Sequence, residues 1–99
     1  LIDYSRTARG HITALREHYE KLERPEAIRN LIRAIEEAAA RIERSPEAGL
    51  PAPRPYPELK VLGWRWVKAG RYWFAYVTVT DGAVIAGVFY ETADIPSRL

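Results

Sequence analysis

At 99 residues the chain has the length of one domain with a modest core. Hydrophobic residues make up 47% and charged residues 28%, which excludes a disordered chain, and no apolar run approaches the roughly 20 residues that span a bilayer. The net charge of +2 is too mild to mark a nucleic-acid binder, and the absence of cysteine removes disulfides, thiol nucleophiles and cysteine zinc sites.

Leu1 to Tyr4 reads as a short strand, and Ser5 or Thr7 can cap the helix that follows. Asp3, Arg6 and Arg9 interrupt any stretch of signal-peptide character at Leu1, and the absence of cysteine fits the expected cytoplasmic location. No Met occurs, even at position 1, so native residues before Leu1 are expected. Ile12, Leu15, Tyr19 and Leu22 recur at spacings of three and four, which is one face of a helix. Pro25 suits the first position of a second helix, where its missing N–H costs nothing. There Ile28, Leu31, Ile32, Ile35, Ala38, Ala39 and Ile42 form a continuous stripe, and Ser45-Pro46 ends it. Glu26 near the start, and Arg41 and Arg44 near the end, complement the helix dipole. The short break at Arg24 makes the pair, about residues 8–45, an antiparallel hairpin.

Pro51, Pro53, Pro55 and Pro57 alternate through residues 50–58, a stiff extended connection within one domain. A β-meander over about 62–90 follows. Its strands are Trp64 to Ala69, Tyr72 to Val79 and Ala83 to Tyr90, with turns at Gly70 and at Asp81-Gly82. These strands are too close together for helical crossovers, so the sheet is mainly antiparallel. The middle strand is apolar on both faces, with Tyr72, Phe74 and Tyr76 on one and Trp73, Ala75 and Val77 on the other. One face is expected to pack on the helices and the other to be partly exposed or covered by a partner. Residues 91–99 form a C-terminal tail. The expected fold is α+β: an N-terminal strand and an α-helical hairpin packed on a twisted, mainly antiparallel sheet, in one domain over residues 1–99.

Catalytic signatures are scarce. His11 and His18 lie seven apart, about 10 Å by helix rise, too far to share one metal, and read as surface residues. No phosphate-binding glycine loop or nucleophile elbow occurs. No cofactor, metal or membrane partner is expected. Arg65, Lys68 and Arg71 lie among Trp64, Trp66, Tyr72 and Trp73, a mixture that suits RNA, a protein interface, or a core with solvated cations around it.

The order of elements and several motifs carry a resemblance. The first is Ser45-Pro46-Glu47-Ala48-Gly49 after the hairpin, which holds Pro-x-x-Gly. Next come Arg65 ahead of a Gly70-Arg71-Tyr72 turn, Tyr76 four residues beyond Tyr72, and the ending Val88-Phe89-Tyr90-Glu91-Thr92-Ala93-Asp94-Ile95-Pro96. Over nearly its whole length the chain resembles the ParE/RelE toxins of bacterial type II toxin–antitoxin systems, closer to the ParE, or plasmid-stabilisation, branch. The resemblance implies growth inhibition, neutralised by a cognate antitoxin that also mediates any DNA contact. ParE-type members poison DNA gyrase, and RelE-type members cleave messenger RNA on the ribosome. The chain departs from the nuclease pattern: Trp73 stands where such toxins carry an arginine after the tyrosine, Thr92 and Ala93 where they carry another, and Tyr90 in place of a histidine. Without those cations, charge developing on phosphate has no evident stabiliser. The expected function is therefore a toxin acting through a protein target. A ribosome-dependent endoribonuclease and a toxin-fold binding module without toxicity are the alternatives. No catalytic residue is assigned. The candidate partner contacts are Arg65, Lys68, Arg71, Trp73, Tyr76, Tyr90 and Arg98.

Overall fold

Ser5 sets the start of the first helix. In the computed structural model, which describes residues 1–99, its side-chain oxygen accepts the Ala8 N–H at 3.0 Å. Helix α1 then runs Arg6–Lys21, so Thr7 lies inside it and is not the cap. Glu23 takes a φ of 53° and turns the chain back. Helix α2 runs Pro25–Arg44, with Pro25 in its first turn as the sequence predicts. Its buried residues are Leu31, Ala34, Ala38 and Ile42. Ile32 and Leu22, both placed on apolar faces from their spacing, lie at the margins, 45% and 52% exposed.

The strands are β1 (Ile2–Tyr4), β2 (Arg65–Ala69), β3 (Tyr72–Val79) and β4 (Gly82–Tyr90), in the spatial order β1-β4-β3-β2. The last three form the expected antiparallel meander, and β1 lies parallel to β4. The architecture is α+β with a mixed sheet. Gly82 pairs with Val79, so the β3–β4 loop is Thr80-Asp81, with Asp81 at φ 64°, and not Asp81-Gly82. Gly82 answers a different need, because a Cβ there would collide with the Leu1 carbonyl. No helix is long and apolar enough to cross a membrane.

Each sheet face has its own core. On one, Val67, Tyr72, Phe74, Tyr76, Ile85 and Val88 pack against the helices. On the other, Trp66, Trp73, Ala75 and Phe89 are covered by the chain itself. Leu59 comes from a 3-10 helix at Pro57–Leu62, and Ile95 from a second at Ile95–Arg98. Three features of this face differ from, or add to, the sequence expectations. The second sheet face is closed and offers no receiving surface. Residues 50–58 are a folded strap: Leu50 exchanges two backbone hydrogen bonds of 2.8 Å with Trp66, Pro53 is fully buried, and the meander begins at Arg65. The tail is anchored, with Ile95 0% exposed.

The Pro-x-x-Gly segment is held from the sheet. The Tyr76 hydroxyl donates to the Pro46 carbonyl at 2.7 Å, and the Arg65 guanidinium donates to the Glu47 carbonyl at 2.9 Å. A Cβ on Gly49 would collide with the Tyr76 hydroxyl and come within 2.9 Å of the Arg65 Cβ. Gly49→Ala is therefore expected to lower unfolding free energy by about 1–3 kcal/mol in urea titrations. Gly10→Ala, in α1 with nothing within 4 Å of the added carbon, is expected to raise it by about 0.5–1 kcal/mol.

Candidate functional site

Gly70 adopts φ 56° in the β2–β3 turn and so delivers Arg71 to the end of β4, where the Glu91 N–H donates to the Arg71 carbonyl at 2.8 Å. In the same register Tyr72 lies opposite Tyr90, and their rings meet edge-on with centroids 5.5 Å apart. Tyr19 of α1 completes the group, its hydroxyl 2.6 Å from that of Tyr72. Three phenols from three elements thus meet in a groove of about 1070 Å³ between the helical hairpin and this end of the sheet. Arg24, Arg33, Arg71, Arg98 and His18 line it, against a single carboxylate, Glu37.

Burial, reinforced by the hydrogen bond with Tyr19, raises the Tyr72 phenol well above its ordinary pKa. Tyr72 is thus a neutral hydrogen-bonding group at physiological pH and not a general base. Glu91 is committed twice: Lys68 Nζ lies 2.9 Å from Oε1 and an Arg71 guanidinium nitrogen 2.9 Å from Oε2. The hydrogen bond from Lys68, with the charge of Arg71 beside it, holds this carboxyl below its usual range.

The candidates named from sequence separate into groups. Arg71, Tyr90 and Arg98 come together at the groove. Lys68 joins them only through Glu91. Arg65 and Tyr76 brace the Pro-x-x-Gly segment at another place. Trp73 lies on the covered sheet face, 2% exposed beneath the Arg54 guanidinium, and Tyr76 is 1% exposed. Neither is available to a partner, which corrects their assignment as contacts: their hydrophobic area is already buried by the chain. Tyr72, Glu91, Tyr19, Arg24 and Arg33 are not among the candidates named from sequence. The Tyr72–Tyr90 register points to Glu91, but nothing in the helical charge pattern marks which arginines face the groove.

His11 also departs from its reading as a surface residue. β1 ends at Tyr4, so β4 loses its strand neighbour near Ile85. The first turns of α1 replace it: the Ser5 N–H donates to the Ile85 carbonyl at 2.9 Å, the Ser5 hydroxyl to the Ala86 carbonyl at 3.3 Å, and the Val88 N–H to His11 Nδ1 at 3.1 Å. The imidazole lies over Phe89, ring centroids 4.9 Å apart. With His18 and Arg98 it lines a hollow of about 560 Å³ that adjoins the groove. No group of three or more His, Asp or Glu side chains converges as a metal site.

No family model matches the chain, and no curated protein matches it.

Burial, and secondarily the Arg98 charge, lower the His11 pKa from its ordinary 6.5. The fold therefore favours neutral imidazole. Its stabilisation is complete above the unfolded-state pKa and is lost as pH falls through the unfolded and then the folded value. Urea midpoints are expected to begin dropping as pH falls below about 7.5, before the carboxylates titrate, and to drop less in His11→Gln.

Proposed function

We propose that the protein is the toxin component of a bacterial type II toxin–antitoxin system, inhibiting growth by binding a protein target and neutralised in the cytoplasm by a cognate antitoxin. In the ParE-like reading the target is DNA gyrase. The observation that carries the proposal is the groove, where arginines stand over a tyrosine-lined wall with almost no acidic counterpart. Arg and Tyr are enriched among the residues that dominate protein interfaces. The resemblance implies a helical hairpin packed on a twisted antiparallel sheet, and the α1–α2 hairpin and the antiparallel β2–β3–β4 meander agree with it.

The same residues argue against RNA cleavage as the first reading. The Tyr72 phenol is held protonated, Glu91 is engaged by two cations, and Trp73, at the position of a nuclease arginine, is buried on the opposite face. A messenger-RNA nuclease stays as the second reading because the arginines, three phenols and His18 share one concave surface. With the second sheet face closed, the antitoxin is proposed to cover the groove with an acidic segment, and DNA contact is left to the antitoxin.

Pulse-labelling after induction without antitoxin tests the proposal. An early fall in DNA synthesis, preceding any fall in protein synthesis, is expected. An early fall in protein synthesis alone would favour the nuclease, and no change in either would leave a binding module without toxicity. Arg71→Ala combined with Arg98→Ala is expected to abolish growth arrest while circular dichroism stays unchanged.

A further inference from the structure

We infer that the protein carries a second site, separate from the groove, that binds a phosphate group in the hollow where α2 ends beside β2. This inference does not depend on the toxin reading. The hollow measures about 350 Å³, the size of a small-molecule pocket. Arg41, Arg44, Arg54 and Lys68 line it together with Ser45, and no Asp or Glu does. The cations come from three places in the chain: the last turn of α2, the proline strap and β2.

The ordinary reason for basic residues at a helix C-terminus is the dipole, equivalent to about half a negative charge. That accounts for no more than one of these cations. Lys68 has Glu91, and Arg41 has Glu37 at 3.6 Å on an exposed surface. Arg44 and Arg54 have no carboxylate partner. Two of the guanidinium groups are fixed in place. Arg41 donates to the Lys68 carbonyl at 2.7 Å, and Arg54 lies 5.4 Å from the centre of the Trp73 ring, next to buried Pro53. Trp66, Val67 and Tyr76 also contribute to the wall.

Four cations share the hollow and only two of them have a carboxylate partner, so like charge is in excess there and a bound anion would offset the repulsion. A phosphate group matches the donors best, since its oxygens accept paired bonds from planar guanidinium groups. The Glu37–Arg41 pair stands between this hollow and the groove, with Glu37 lining one and Arg41 the other.

The phosphate group can be inorganic or part of a nucleotide. Arginine side-chain Nε–H resonances would be followed while inorganic phosphate, or a nucleoside 5′-monophosphate, is added at an ionic strength held constant with chloride. Saturable shifts of Arg44 and Arg54 are expected. Equal affinity for the two probes would make the phosphate group the whole ligand, and tighter nucleotide binding would make the ligand a nucleotide; both support the site. Arg44→Gln, alone or with Arg54→Gln, is expected to weaken binding by about tenfold or more. Arg33→Gln, in the groove, is expected to leave it unchanged. Shifts that do not saturate, or that survive the double variant, or that vanish in Arg33→Gln, would overturn the inference.

Discussion

The structure turns on a covering problem. The meander has two apolar faces, and the chain has only one layer of helices to lay on them. Trp66, Trp73 and Phe89 cannot be left in water, since burying an aromatic side chain of this size contributes on the order of 2–3 kcal/mol. The proline strap and the C-terminal turn supply the missing layer, with Leu59 from one and Ile95 from the other. The Tyr56 hydroxyl ties the two together by donating to the Ala93 carbonyl at 3.3 Å. This second layer also shapes the groove. Once Ile95 is seated, Thr92, Ala93 and Arg98 stand at the groove wall, so the same packing that closes one face completes the candidate site on the other side of the molecule.

Charge is divided accordingly. Arg65, Lys68 and Arg41 are engaged with carbonyls or carboxylates near β2 and act mainly as braces. Such exposed pairs contribute little stability each, but they fix where side chains point. Glu91 illustrates the difference, orienting Lys68 and Arg71 from the end of β4 without burying either. Arg24, Arg33 and Arg98 form no ion pair and keep their charge available in the groove.

Much of this fold is legible in the residue order because its elements are local. The 3.6-residue period of α2, Pro25 at its start and the alternation along β3 each specify their element within a dozen residues. The register that aligns Tyr72 with Tyr90 is less legible: the short hairpin pairs Val79 with Gly82, and only a bulge between Ala75 and Tyr76 shifts the pairing by one residue and sets Tyr72 opposite Tyr90 instead of Phe89. The rest depends on contacts between segments distant in the chain. A run of alternating prolines signals stiffness but not where it docks. Ile95, alone between Asp94 and Pro96, has no periodic partner to reveal its burial. His11 looks like a helix surface residue until β1 proves too short to pair with all of β4. Trp73 and Tyr76 read as interface aromatics in the sequence because composition alone does not separate an aromatic that seeks a partner from one already covered by its own chain.

The claim that the chain covers its own second sheet face can be tested directly by acrylamide quenching of Trp64→Phe, whose remaining emission comes from Trp66 and Trp73. The account predicts strong resistance to quenching in that variant and ready quenching once Ile95→Ser is added. Emission from Trp66 and Trp73 that is quenched as readily as free tryptophan, with Ile95 intact, would contradict it and return that face to the search for a partner.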